Sequence, residues 1–129
     1  MSIIYLAGPY SSGTAETREA RFNAITQVAA KLIEKEKIVF SPLTMTHPID
    51  LVLAKDGETL GSEYWVNFDE AFMQFCTSIY ILKLPGWDKS SGVVRELAYF
   101  DDRRITATYL EPSNFGITAD VDAFSSAFV

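Results

Sequence analysis

The chain has 129 residues, 48% of them hydrophobic and 22% charged, which suits one compact domain with its own core and is too short for two. Its net charge of −6 argues against a nucleic-acid polymer or an anionic membrane surface as partner, since both call for a basic footprint. The single cysteine, Cys76, rules out an intrachain disulfide and a cysteine metal cluster.

Met1 to Gly8 has no basic segment ahead of a long apolar core, and no apolar run approaches a membrane span. The expected location is the cytosol. Ile3 to Ala7 reads as a buried strand closed by Gly8-Pro9. Ser11-Ser-Gly-Thr then leads into a helix with Glu16 and Glu19 in its early turns, where the helix dipole favours acids. Phe22, Ile25, Ala29, Leu32 and Ile33 recur at helical spacing as its packing face. Lys37 to Phe40 is a second strand, stopped by Ser41-Pro42. From Thr44 to Gly61 the periodicity is lost, apart from a short helical stretch at Ile49 to Ala54, and this segment reads as a loop covering a pocket.

Ser62 to Cys76 is a second long helix, Ser78 to Lys83 a third strand, Gly92 to Asp101 a third helix and Ile105 to Leu110 a fourth strand. The tail from Thr118 to Val129 has a helical pattern with Val121, Phe124 and Phe128 on one side. Alternating strands and helices predict a single α/β domain over residues 1–129. Its core is a doubly wound, three-layer Rossmann-like or flavodoxin-like parallel sheet of four to five strands.

The turn from Pro85 to Tyr99 follows an apolar strand, the place where open α/β sheets bind ligands. At about 100° per residue, Val93, Val94, Leu97, Ala98 and Phe100 form a packing arc. Glu96 falls at its edge and Arg95 points away. Gly92 lies one turn before Glu96 and leaves room for a ligand. Glu96 is either a ligand-facing carboxylate or a surface acid.

Asp69 lies within the apolar arc of Trp65, Phe68, Phe72, Met73 and Cys76, where an ionised carboxylate is costly unless paired. It either caps a neighbouring element or shares a cleft with Glu96. Two carboxylates flanking one strand suit acid–base or nucleophilic chemistry.

The first turn, Ala7 to Thr14, is rich in glycine and hydroxyls and suits an anion, though a helix cap explains it equally well. It matches neither a Walker loop nor the dinucleotide fingerprint. Arg18 and Arg21 either support an anion there or are solvated. His47, the only histidine, sits beside Pro48 and is a binding residue or a structural one. Trp87 and Tyr10 belong either to a pocket mouth, stacking on a base, or to the core. With one histidine and one cysteine, no metal site and no serine- or cysteine-hydrolase constellation is expected.

Taken in order, Ile4-Tyr-Leu-Ala-Gly-Pro-Tyr, an aspartate on the helix before the third strand, and Ser90-x-Gly-x-x-x-Glu-Leu-x-Tyr resemble the nucleoside 2-deoxyribosyltransferase superfamily, including its nucleoside 5′-monophosphate N-hydrolases. The resemblance runs from Ile3 to Leu110. It implies a Rossmann-like sheet and a glutamate nucleophile, matched by Glu96, that forms a glycosyl-enzyme. It further implies an orienting tyrosine at Tyr5, a pocket-floor glycine at Gly8 and an aspartate acting on sugar or base at Asp69. Ser90 stands where base-exchanging transferases place an aspartate, which favours a phosphorylated substrate. Asp88, two residues earlier, is the alternative source of that carboxylate. The implied partner is a nucleotide or nucleoside, met at Gly8, Asp88 and Ser90; Tyr10, Ser11, Ser12, His47, Trp87 and Gly92 join the candidate binding set from their own positions, and no cofactor or metal is needed. The implied assembly is a homodimer or larger oligomer, with the apolar tail from Phe124 to Val129 compatible with burial in an interface.

Overall fold

A computed structural model describes residues 1–11, 14–56 and 58–118. Ser12 and the tail beyond Thr118 lie outside the described residues. Four strands, β1 (Ile3–Ala7), β2 (Ile38–Phe40), β3 (Ser78–Leu82) and β4 (Thr108–Leu110), form one sheet in the order β2-β1-β3-β4. Every pairing is parallel, with Tyr5 opposite both Phe40 and Ile79. The helices are α1 (Ala15–Glu34), α2 (Pro42–Ala54), α3 (Val66–Met73) and α4 (Ser91–Asp102). The result is a small parallel α/β domain of the three-layer, Rossmann-like kind. No described helix is long and apolar enough to cross a membrane.

Side chains alternate along β1 and so feed two cores. Leu6 packs with Ala24, Ile25, Val28 and Leu32 of α1 on one face of the sheet. Tyr5 and Ala7 pack with Met73, Cys76, Val93 and Phe100 on the other, beneath α3 and α4. Helix α1 is capped by Thr14, whose hydroxyl accepts the Thr17 N–H at 3.2 Å. Its buried stripe contains Ile25, Ala29 and Leu32, as expected, but Ile33 is 55% exposed. Arg18 and Arg21 are buried rather than solvated.

The segment read as a loop from Thr44 is helical as far as Ala54. Pro42 opens α2 at a position that needs no amide hydrogen, and Pro48 is carried inside it. The apolar pattern fails here for a physical reason. Helix α2 buries Thr46, His47 and Asp50 and exposes Met45, Val52 and Leu53, an inversion of the usual amphipathic order. The second long helix begins as a 3₁₀ turn, Ser62–Trp65, before α3. β4 is shorter than expected because Ile105 closes α4, donating its N–H to the Phe100 carbonyl.

Candidate active site

Helix α4 starts where β3 has ended. Its cap is Ser90, whose Oγ accepts the Val93 N–H at 3.3 Å. With the start fixed, Val93, Glu96, Leu97 and Phe100 follow at i, i+3, i+4 and i+7 and form one stripe. Val93 and Phe100 are fully buried against the sheet. Glu96 therefore takes a place within the packing stripe, directly above Tyr5.

Tyr5 is completely buried, its ring tilted against Phe40 and Phe100 at 5.9 and 5.7 Å between centroids. Its hydroxyl donates a hydrogen bond to Glu96 Oε2. Burial drives the Tyr5 phenol well above its ordinary value, with Glu96 and Asp69 adding to the effect, so it stays a donor. Glu96 lines a cavity with Asp69, Arg95, Ser90, Gly92 and Trp65. Burial pushes the Glu96 carboxyl up to about 8, opposed by the Tyr5 hydrogen bond; Asp69 adds to the rise and Arg95 opposes it. Burial also raises Asp69, to about 7, against the pull of Arg95. Asp69 Oδ1 is buried without a hydrogen-bond partner. An orphaned carboxyl oxygen on a cavity wall is open to a ligand donor.

Gly8, Tyr10, Ser11, Ser90 and Gly92 of the sequence-derived set line this cavity. Gly8 has a second duty, because a Cβ there would stand 3.1 Å from Ile25 Cδ1 and crowd α1. At Gly92 a Cβ would meet Ser90 Oγ at 3.8 Å and Ser62 Cβ at 4.0 Å, which is ordinary contact. The missing side chain therefore widens the cavity and relieves no clash.

His47 stands behind the wall and does not line it. It is 2% exposed and lies against Phe22 at 4.5 Å between centroids. Its Nε2 is 2.7 Å from Glu19 Oε2 and its Nδ1 2.6 Å from the Tyr10 hydroxyl. The Glu19 carboxylate can only accept, so it draws the proton to Nε2, and Nδ1 then accepts from Tyr10. His47 thus fixes the pose of a cavity-lining tyrosine.

Trp87 and Asp88 fall elsewhere, in a separate depression with Glu111 and Pro112. Gly86, at φ +90°, turns the chain into the 3₁₀ turn Trp87–Lys89. That turn lays Trp87 on Tyr109 at 5.3 Å and leaves Asp88 exposed.

Several wall residues escaped the sequence reading. Arg95, expected to point away, lines the cavity and donates from Nη2 to the Ser62 carbonyl at 3.4 Å. The helical wheel placed it correctly relative to α4 but held no sign of the 3₁₀ turn covering that side. Trp65 donates its indole N–H to Asp50 Oδ1 at 2.9 Å, and the same oxygen accepts the Leu60 N–H at 3.1 Å. Buried Asp50 on α2 thereby ties the segment after α2 to a cavity wall. Arg21 joins the segment after β1 to the segment after β3. Its Nη1 donates to the Tyr10 and Ser11 carbonyls at 3.3 and 3.0 Å, and its Nη2 to the Pro85 carbonyl at 3.4 Å. Among the described residues no group of three or more His, Cys, Asp or Glu is placed to hold a metal ion.

Fold and cleft together define a parallel α/β domain with a carboxyl pair beyond the ends of β1 and β3, where open sheets take ligands. The chain belongs to the family described as a domain of unknown function (DUF1937), whose model matches residues 2–110. No curated protein matches it.

Proposed function

We propose that this chain is an N-glycosidase of the nucleoside 2-deoxyribosyltransferase kind, cleaving the base from a (deoxy)nucleoside 5′-monophosphate. The observation that carries the proposal is the Tyr5–Glu96 hydrogen bond beside the unpartnered Asp69 oxygen. It supplies an oriented carboxylate and a second carboxyl that holds a proton near neutral pH, the pair that glycosidic chemistry uses.

In the first step a Glu96 carboxylate oxygen bonds to C1′ as the N-glycosidic bond breaks. The bonding electrons pass to the base nitrogen, which takes a proton from Asp69. Water then attacks C1′ and gives its proton to the Asp69 carboxylate, Glu96 leaves, and the sugar phosphate is released. The transition state is oxocarbenium-like, so its positive charge favours Glu96 ionised with the proton on Asp69, reversing the order of the empty cavity, where burial raises Glu96 to about 8 and Asp69 to about 7. Tyr5 positions Glu96, and Gly92 leaves room for the sugar. A base-exchanging reaction has less support, because Asp88, the carboxylate it would enlist, is exposed and outside the cavity.

Incubation with nucleoside monophosphates and nucleosides, with and without an acceptor base, tests the proposal. Free base from monophosphates is the expected product. Exchange products would instead indicate a transferase. Binding without any product, unchanged in Glu96→Ala, would leave only a binding module.

A further inference from the structure

We infer that Arg95, with the hydroxyls of Ser62 and Ser90, forms the anion subsite of this cavity and selects a sugar 5-phosphate over the unphosphorylated sugar. The inference rests on the proposed nucleotide reading and deepens it. It moves the phosphate away from the first turn, where glycine and hydroxyl content alone had suggested an anion.

Arg95 is the one cation among the described residues lining the cavity. Among the described residues it forms no ion pair within 4 Å, although Asp69 and Glu96 line the same space and feel its charge. Its long bond to the Ser62 carbonyl steadies the guanidinium and leaves most of its five N–H groups open. In a chain of net charge −6, a cation kept clear of salt bridges inside a cleft is placed for a ligand.

Both serines border the same corner: a Cβ built at Gly92 would stand 3.8 Å from Ser90 Oγ and 4.0 Å from Ser62 Cβ. Ser90 Oγ accepts from Val93, so its own proton remains free to donate. A guanidinium fork with two hydroxyl donors suits the tetrahedral oxygens of a phosphate monoester. It also offsets the repulsion such a group meets from two carboxyls nearby.

The test compares ribose 5-phosphate with ribose, followed by the fluorescence of cavity-lining Trp65 or by calorimetry, which needs no turnover. Wild type is expected to prefer the phosphate by about tenfold or more, and Arg95→Gln to lose that preference. Arg95→Lys, which keeps the charge but not the fork, should fall between, and it preserves the test if the glutamine variant does not fold. Wild type without the preference, or Arg95→Gln with it undiminished, overturns the inference. In turnover, the monophosphate-to-nucleoside ratio of kcat/KM should collapse in Arg95→Gln; an equal loss for both substrates would assign Arg95 to carboxylate ionisation instead. If no nucleotide yields free base yet the phosphate preference stands and follows Arg95, the glycosidase reading fails and the subsite survives.

Discussion

The Tyr5 phenol and the Glu96 carboxylate, 91 residues apart in the chain, meet in a hydrogen bond at the top of the sheet. A strand residue whose ring is locked by Phe40 and Phe100 thereby fixes the rotamer of a helix residue. Tyr5→Phe removes the bond and keeps the ring. Because the bond opposes the burial-driven rise of Glu96, its loss should move the basic pH requirement for activity further upward. At neutral pH kcat should fall about tenfold or more, with KM less affected; a pH–rate profile superimposable on wild type would refute the positioning role.

Glu96 and Asp69 also link stability to pH. In the folded chain both hold protons beyond their ordinary values of 4.5 and 3.8, Glu96 to about 8 and Asp69 to about 7. Below the ordinary values both states are protonated and the fold suffers no penalty. As pH rises through the window to 8, the unfolded chain releases protons first, so stability falls. Glu96→Gln removes that penalty and retains an acceptor for Tyr5. Thermal melts at pH 8 should show the variant above wild type by about 4 °C or more, the gap closing towards pH 4. A variant that melts lower at pH 8 would contradict this linkage.

Gly92→Ala separates folding from binding. The added methyl makes only ordinary contacts and stands in a helix, so it should stabilise by about 0.5–1 kcal/mol. The same methyl enters the space between Ser90 and Ser62, where the ligand would lie. A higher melting temperature with a raised KM is expected. Activity equal to wild type would show that no ligand uses that corner.

His47→Phe tests the wall behind Tyr10. The ring shape survives against Phe22, but the Tyr10 hydroxyl loses its acceptor and Glu19 its partner. Denaturant melts should show a loss of about 1–3 kcal/mol, accompanied by weaker ligand binding. Unchanged binding would make His47 purely structural.

The parallel pairing and both core faces were legible because β1 and β3 are short apolar runs and α1 and α4 carry strong periodic stripes, whereas the strand order β2-β1-β3-β4 was not. Glu96 and Asp69 drew notice as acids within or beside apolar arcs, a conflict that single-element patterning can reveal. Helix α2 was hidden because it buries Thr46, His47 and Asp50, whose burial depends on partners such as Glu19 and Trp65 in distant segments. The place of Arg95 depended on the 3₁₀ turn Ser62–Trp65, and that of Trp87 on the left-handed Gly86. Neither leaves a periodic trace.

The most direct measurement is to mix the protein with a nucleoside 5′-monophosphate that releases base, quench in acid and map the digested peptides by mass. A sugar phosphate adduct on Glu96, absent from Glu96→Gln together with base release, is expected. Base released at an equal rate by Glu96→Gln, with no adduct on Glu96 in the wild type, would contradict the glutamate-nucleophile mechanism.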